Sequence, residues 1–197
     1  MTAHKTKAQR RSQITDAAIT CFAKKGYYEA SMDDIAREAG LSKGSLYWHF
    51  PSKRELFRSL IETWIGEVMD GLPEAVAACE SNAEKLMLIA DSIKNTVAVR
   101  PELARAQLEF AAQAVRDPEI REWFRANYVE QRTFFAGILH EGMDAGEFRC
   151  VPVDATARLI MAYIDGVFLH REVNEIGDDI NVLIEEAKST LLALLKP

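Results

Sequence analysis

The sequence has few of the residues that build catalytic, redox or metal sites. Its three cysteines, Cys21, Cys79 and Cys150, are odd in number and far apart, and no C-x-x-C pair occurs. This spacing indicates neither a zinc site nor a disulfide framework, and it leaves a redox-sensing cysteine as an alternative. His140 precedes Glu141 but lacks the second histidine of H-E-x-x-H, and neither a glycine-rich phosphate loop nor a G-x-S-x-G elbow is present. We therefore expect no enzyme, no cofactor and no metal.

Long apolar runs are also missing. No run approaches the roughly 20 residues that a membrane-spanning helix needs. The basic N-terminal stretch MTAHKTKAQRRSQ lacks the apolar segment of a secretion signal. The 197 residues are 48% hydrophobic and 27% charged, which suits a folded chain with a substantial core. We expect a cytoplasmic protein of one large or two small domains, without a membrane partner.

Apolar residues recur with a helical period along the whole chain, and no alternating strand pattern is visible. In the first helix, Ile14, Ala17, Ala18, Cys21 and Phe22 follow the spacing i, i+3, i+4, i+7 and i+8. We predict an all-α protein of nine or ten helices. Their predicted ranges are 9–25, 31–39, 42–50, 52–71, a short piece ending near 80, 83–99, 102–116, 119–145, 154–173 and 180–196.

Residues 31–57 predict two short helices joined by a tight turn and followed by a third helix. Ser31 opens a capping box, Gly40 ends the first helix, and Ser42 caps the second, which ends at Pro51. Two helices joined by a glycine-containing turn are typical of a helix-turn-helix, whose second helix enters the DNA major groove. An ordinary helical hairpin with a solvated polar face is the alternative that the spacing leaves open.

The distribution of charge favours the DNA-binding interpretation. Residues 1–58 contain eleven lysines and arginines against six aspartates and glutamates, a net charge of +5. The rest of the chain therefore carries −11, which gives the overall net charge of −6. A basic N-terminal segment suits phosphate binding, and an acidic body that DNA repels helps to orient the encounter.

The same segment resembles the DNA-binding domain of the TetR/AcrR family of bacterial transcriptional regulators. The matching residues are Ala18, Phe22, Gly26, Tyr27, Ile35, Ala36, Ala39, Gly40, residues 42–50, Lys53 and Leu56. The resemblance implies a three-helix DNA-binding domain over 1–51 and a helical effector-binding and dimerisation domain over 52–197. It also implies a transcriptional regulator, usually a repressor, with activation as the alternative.

The helix over 42–50 carries most of the residues that we expect to contact double-stranded operator DNA. The first residues of a recognition helix contact base edges, whereas phosphate contacts position it. Gly44 has no side chain, so DNA can approach the backbone closely. The family resemblance implies phosphate contacts by Tyr47, His49 and Lys53. The predicted DNA-binding residues are Ser31, Ser42, Lys43, Gly44, Ser45, Tyr47, Trp48, His49 and Lys53.

The last two helices have more apolar surface than one buried face requires. Residues 157–169 and 180–195 are apolar on more than one side, which indicates burial within the domain or a second partner. We favour a homodimer joined by a four-helix bundle, which would bind a partly palindromic operator. A module that binds a different protein is the alternative. The predicted interface residues are Ile160, Ile164, Phe168, Ile184, Leu191 and Leu195.

Amide side chains interrupt the apolar stripes of two body helices. A buried amide needs a hydrogen-bond partner, and a mostly apolar pocket with a few polar anchors provides one. The family resemblance implies a small, often apolar effector whose binding lowers DNA affinity. The alternatives are amides that bond each other or the backbone, and constitutive repression. The predicted effector-binding residues are Trp64, Gln107, Phe110, Trp123, Asn127, Tyr128, Gln131 and Phe134.

Overall fold

The computed structural model describes residues 6–99, 101–173 and 179–197, except for the side chains of residues 64, 67–69 and 102–104. These residues form ten α-helices and no strand, which confirms the predicted all-α class. Among them, no helix is both long enough and apolar enough to cross a membrane. The helices are α1 Lys7–Glu29, α2 Met32–Glu38, α3 Lys43–His49, α4 Lys53–Met69, α5 Leu72–Ala77, α6 Asn82–Val99, α7 Pro101–Ala114, α8 Pro118–Asp144, α9 Val153–Val173 and α10 Ile180–Leu195.

The chain divides into two compact units. The first unit consists of Met1–Glu67 together with Glu102–Ala112. The second consists of Val68–Pro101 together with Gln113–Pro197. Helices α4 and α7 therefore each have residues in both units.

Aromatic packing explains why parts of α4 and α7 belong to the first unit. The ring centroid of Phe57 on α4 lies 5.0 Å from that of Phe22 on α1 and 4.7 Å from that of Phe110 on α7. Phe57 and Phe110 are both almost completely buried. The first unit therefore extends beyond residue 51, where the predicted DNA-binding domain ends. That functional boundary stays a prediction.

Helix α1 begins earlier and continues farther than its apolar stripe predicts. Thr6 caps its N-terminus, because the Thr6 hydroxyl accepts the N–H of Gln9 at 3.2 Å and the Gln9 side chain accepts the N–H of Thr6 at 2.9 Å. Near the other end, Gly26 has a φ of 74° and a non-helical conformation. This break coincides with the predicted end of the helix. Beyond it, the residues up to Glu29 form one further turn.

Helices α2 and α3 form the predicted helix-turn-helix. Ser31 accepts the N–H of Asp34 at 3.1 Å and Asp34 accepts the N–H of Ser31 at 3.1 Å, so the capping box of α2 is complete. Ser42 caps α3 by accepting the N–H of Ser45 at 3.2 Å. Between the helices, Gly40 adopts a φ of 63°, the left-handed conformation that glycine provides at a helix end.

The second unit has its core among α5, α6, α8, α9 and α10. Helix α6 contacts α5, α8 and α10, and α9 packs against α8 and α10. Asp117 caps α8, because its carboxylate accepts the N–H groups of Glu119 and Ile120 at 2.9 and 3.3 Å. The residues buried in this core include Leu86, Ile89, Phe135, Ile138, Leu139, Ile160 and Leu195.

The structure places most of the predicted dimer-interface residues inside the chain. Ile160, Phe168, Ile184 and Leu195 are buried, and Ile164 and Leu191 are half-buried. They are buried because α9 packs on α8 while α10 packs on α6. Exposed apolar side chains on the same two helices could add to such an interface, and we call them the outer apolar set. Its members are Leu159, Tyr163, Leu169, Val173, Val182 and Leu192, all of them exposed.

Candidate nucleic-acid interface

The exposed face of α3 consists of large polar and aromatic side chains. Tyr47 and Trp48 are 40% and 69% exposed, and Lys43 is exposed as well. Leu46, in contrast, is completely buried and anchors the helix in the first unit. Helix α3 thus presents one cation and two amphipathic rings, which suit contacts with base edges and phosphates.

Lys43 forms an ion pair within the helix-turn-helix. Its Nζ lies 2.8 Å from Oδ1 of Asp33 on α2 and 6.0 Å from the centroid of the Tyr47 ring. The hydrogen bond to Asp33 raises the pKa of the Lys43 ammonium, so this residue is cationic throughout the neutral range. Both partners are exposed, and DNA can therefore compete with Asp33 for the ammonium group.

Gly44 faces open space rather than other parts of the protein. A Cβ atom added here would meet no described atom within 4 Å. Packing within the first unit therefore does not require glycine, although glycine weakens a helix interior by about 1 kcal/mol relative to alanine. Gly44 therefore leaves the backbone of α3 accessible from outside the first unit.

Cationic side chains of α1 lie beside the C-terminal end of α3. Nζ of Lys7 is 5.4 Å from the centroid of the Trp48 ring, and the Arg11 guanidinium is 4.1 Å from the centroid of the Phe50 ring. Nη1 of Arg11 also donates to the carbonyl oxygen of His49 at 3.0 Å. These α1 cations are not among the predicted site residues. Their only sequence signal is the excess of positive charge in the N-terminal segment.

His49 is uncharged near neutral pH. Burial, followed by the positive charges of Arg11, Arg10 and Lys7, lowers the pKa of its imidazole below the ordinary value of 6.5. Its Nδ1 has no hydrogen-bond partner among the described residues. A phosphate contact by His49 would use a ring N–H as the hydrogen-bond donor.

The two serines of the predicted site both cap helices. Oγ of Ser31 accepts the N–H of Asp34, and its hydroxyl donates to the Asp34 carboxylate at 2.7 Å. Oγ of Ser42 accepts the N–H of Ser45 but donates to no acceptor within the described ranges. Ser42 is therefore better prepared than Ser31 to donate a hydrogen bond to a phosphate.

Lys53 has a full set of hydrogen-bond partners in the first unit. Its Nζ donates to the carbonyl oxygens of Tyr27 at 2.7 Å, Ala30 at 2.9 Å and Tyr28 at 3.2 Å. Burial lowers the pKa of this ammonium group. Because an ammonium has three N–H donors, a phosphate contact would replace one of these bonds. The predicted phosphate contact by Lys53 thus competes with a structural role.

The predicted effector residues divide between the two units. Gln107 and Phe110 belong to the first unit, and Oε1 of Gln107 is buried without a hydrogen-bond partner in the described chain. The side chain of Trp64 lies outside the described residues. In the second unit, Nδ2 of Asn127 donates to the carbonyl oxygen of Trp123 at 2.9 Å. This amide therefore bonds the backbone, which is one of the alternatives to an effector contact.

Tyr128 joins α8 to α9 through a polar contact. Its hydroxyl donates to Oδ2 of Asp165 at 2.8 Å. Burial raises the pKa of the Asp165 carboxyl, and the hydrogen bond from Tyr128 opposes that shift. Of the remaining predicted effector residues on α8, Gln131 is half-buried and Phe134 is partly exposed. The pair places a half-buried acidic group between α8 and α9.

A separate apolar cavity of about 100 Å³ lies within the second unit. Its wall comes from α6, α9 and α10 with Phe135 of α8, and it is almost entirely aliphatic. Tyr163, Lys188 and Thr190 are the lining residues with polar groups. None of the predicted effector residues whose side chains are described lines this cavity.

A helix-turn-helix with an exposed second helix and adjacent cations defines a DNA-binding transcriptional regulator. Two family models match the chain. One describes bacterial regulatory proteins of the tetR family and matches residues 14–60, and the other describes the C-terminal domain of BetI-type transcriptional repressors and matches residues 82–195. The chain belongs to the TetR family of transcriptional regulators.

Individual relatives agree with this assignment. The HTH-type transcriptional regulator YfiR of Bacillus subtilis is 31% identical over 195 residues, which cover 96% of this chain and 94% of YfiR. The regulator FadR of Bacillus subtilis, solved in complex with stearoyl-CoA, has a TM-score of 0.82 at 26% identity and covers 93% of this chain and 98% of its own. A transcriptional regulator of Saccharomonospora viridis, solved in complex with choline, has the same fold, with a TM-score of 0.85 at 20% identity over 96% of this chain and 99% of its own.

Proposed function

We propose that the protein is a homodimeric repressor that binds a partly palindromic operator and releases it when a small effector binds in the C-terminal part of the chain. The observation that carries the DNA-binding proposal is the exposed face of α3, with Lys43, Tyr47 and Trp48 beside the cations of α1. Two copies related by a two-fold axis would present two such helices about one DNA turn apart.

The roles of the DNA-binding residues follow from their positions. Lys43 and Ser45 stand at the start of α3 and face base edges, whereas Tyr47 and His49 donate hydrogen bonds to phosphates. Ser42 adds its hydroxyl at the helix N-terminus, where N–H groups favour an anion. Gly44 permits close approach, and Trp48 with Lys7 covers the sugar-phosphate backbone. Ser31 and Lys53 contribute by holding the helix-turn-helix together.

Selection from random DNA sequences tests this proposal and yields the operator sequence in the same experiment. The full chain would be incubated with a library of random duplexes, and the bound fraction sequenced over several rounds. We expect enrichment of two inverted half-sites at a fixed spacing of roughly 10 base pairs or a multiple of it. Enrichment of a single asymmetric site, or of none, would contradict the proposed dimeric recognition.

The effector proposal draws on both the chain and its relatives. The aliphatic cavity among α6, α9 and α10 suits the apolar portion of a ligand, in line with the stearoyl-CoA bound by FadR. The half-buried Asp165 beside Tyr128 would instead suit a cation, in line with the choline bound by the Saccharomonospora protein. We favour the apolar effector because the cavity wall is nearly free of polar groups. The predicted residues Gln107, Phe110, Trp123, Asn127, Gln131, Phe134 and Trp64 remain its alternative contacts.

Two variants separate the candidate effector sites. Ala90→Phe would fill the aliphatic cavity, whereas Gln131→Leu would change the predicted stripe of α8 without entering that cavity. DNA release would be titrated with long-chain fatty acids, acyl-CoA esters and choline. We expect fatty acyl ligands to release wild-type protein and Gln131→Leu but not Ala90→Phe. If the ligands release both variants from DNA alike, the cavity is excluded as the effector site. If no ligand releases the wild-type protein from DNA, constitutive repression is favoured.

A further inference from the structure

The segment that joins α1 to the helix-turn-helix is bonded from two sides. We call Gly26–Ala30 the α1 junction, since Ser31 and α2 follow it directly. From α4, Nζ of Lys53 donates to three of its carbonyl oxygens, at 2.7, 3.2 and 2.9 Å. The same Nζ lies 4.5 Å from the centroid of the Tyr27 ring, so the junction contacts the ammonium group through a ring as well as through carbonyl oxygens.

Glu109 on α7 binds the same junction from another helix. Its Oε2 accepts the N–H of Tyr27 at 2.6 Å. Both carboxylate oxygens would lie 3.8 Å from a Cβ atom at Gly26, so Glu109 packs directly over the break in α1. The N–H of Tyr27 therefore bonds an anion while its carbonyl bonds a cation, and charge-assisted hydrogen bonds of this kind are stronger than neutral ones.

The C-terminal ends of α2 and α3 are held in a similar way. Nε2 of Gln13 donates to the carbonyl oxygen of Ala39 at the end of α2, at 2.6 Å. Nη1 of Arg11 donates to the carbonyl oxygen of His49 at the end of α3, at 3.0 Å. Each helix of the DNA-binding segment thus has terminal carbonyls bonded by a side chain from a different helix. Such bonds fix the direction in which each helix ends, and so the position of α3.

We infer that Lys53 and Glu109 are positioning residues for DNA recognition, which act by fixing the α1 junction rather than by contacting DNA. The inference rests on the proposed DNA-binding function. All three N–H donors of Lys53 have protein acceptors, and Glu109 is an acid that DNA would repel. Both residues contribute because the junction leads directly into the cap of α2 and from there to the recognition helix.

The salt dependence of DNA binding separates positioning from phosphate contact at Lys53. A lost phosphate contact lowers the slope of log Kobs against log salt by about 0.9, whereas a lost positioning contact leaves the slope unchanged. For Lys53→Ala we expect binding at least about tenfold weaker with the wild-type slope. Lys43→Ala, which removes a proposed DNA contact, should lower the slope. Lys24→Ala, an exposed lysine on α1, controls for net charge.

The direction in which DNA affinity changes provides the test at Glu109. If only long-range charge mattered, Glu109→Ala would bind DNA more tightly, because an acid is removed. Positioning predicts weaker binding, with Glu109→Gln close to wild type because its amide oxygen still accepts the N–H of Tyr27. Glu62→Ala, which removes an exposed acid of α4 in the same unit, should bind as tightly as wild type or more tightly.

The measurements are made at a temperature where circular dichroism shows every variant folded. A reduced salt slope for Lys53→Ala, or tighter binding by Glu109→Ala, would overturn the positioning role. Either result leaves the proposed function intact as long as wild type binds the selected operator. Failure of wild type to bind any duplex would instead refute the proposed function.

Discussion

Asp34 connects three parts of the DNA-binding segment through one carboxylate. It accepts hydrogen bonds from the backbone and hydroxyl of Ser31, and it pairs with Lys25 on α1 at 2.9 Å and with Arg37 at 3.3 Å. The hydrogen bond from the Ser31 side chain, followed by that from Lys25, holds the pKa of Asp34 well below its ordinary 3.8. The ionised carboxylate is therefore the form that the folded helix-turn-helix favours.

We expect acid to weaken the fold through Asp34. Because its folded pKa lies below its unfolded pKa, the stabilisation is complete above about pH 5 and is lost as the pH falls below about 4. Asp34→Asn should be less stable than wild type at pH 7 and should lose less stability on acidification. Urea unfolding of both proteins from pH 7 to pH 3 measures this, and parallel declines would contradict the assigned role.

Two glycines of α8 provide a matched pair for packing. A methyl group at Gly142 would overlap the buried ring of Phe148, whereas one at Gly137 would meet no described atom within 4 Å. Gly142→Ala should therefore lower the free energy of unfolding by about 1–3 kcal/mol through overpacking. Gly137→Ala should raise it by about 0.5–1 kcal/mol, because alanine favours the helix. Equal effects of the two changes, measured by thermal unfolding, would contradict this packing.

Single residues also show what the sequence can and cannot predict about the site. The caps at Ser31 and Ser42 are local, because donor and acceptor lie three residues apart, and they are predicted correctly. The partners of Lys53 lie 23 to 26 residues away. Nothing in the local pattern around Lys53 indicates that α4 packs against the end of α1, so the lysine is predicted as a phosphate contact.

At the scale of elements, α1 contacts both the recognition helix α3 and helix α4. Its Arg11 donates to the end of α3 and to Oγ of Ser59 on α4 at 3.3 Å, and its guanidinium stacks on Phe50. This residue therefore ties α1, α3 and α4 together. The planar guanidinium of arginine can donate to two acceptors and stack on a ring at the same time, whereas a lysine ammonium cannot stack in this way.

Arg11→Lys isolates the geometric contribution of this contact, because the charge is kept. We expect DNA binding to weaken by roughly fivefold, the effect of losing about one hydrogen bond that holds α3. Arg10→Lys is the control, since Arg10 bonds Gln13 on its own helix at 2.9 Å. Fluorescence anisotropy with the selected operator measures both. If Arg11→Lys binds like wild type and Arg10→Lys, the contact does not position α3.

The sequence predicts where helices form better than it predicts how they pack. Apolar periodicity, caps and prolines predict every described helix, and most ends agree within a few residues. Periodicity does not distinguish a face buried in the same chain from one buried by a partner. For that reason Ile160, Phe168, Ile184 and Leu195 are predicted at a dimer interface, although all four are buried within the chain.

At the scale of the whole molecule, two copies are needed for palindromic recognition. The outer apolar set on α9 and α10 is the surface that we propose to join them. Leu192→Asp should give a monomer in sedimentation velocity and bind the operator at least about tenfold more weakly. Val115→Asp, which changes an exposed valine outside these helices, should remain dimeric. A wild-type chain that is monomeric alone and associates only with a different protein would support the interaction-module alternative.

The proposed mechanism depends above all on two copies binding one operator through the exposed face of α3. The decisive measurement is an anisotropy titration of the selected palindromic duplex with wild type and Tyr47→Ala, performed well above the dissociation constant for stoichiometry and near it for affinity. We expect saturation at two chains per duplex, or a multiple of two, and binding of the variant at least about tenfold weaker. Saturation at one chain per duplex, or equal affinity of wild type and Tyr47→Ala, would contradict the mechanism.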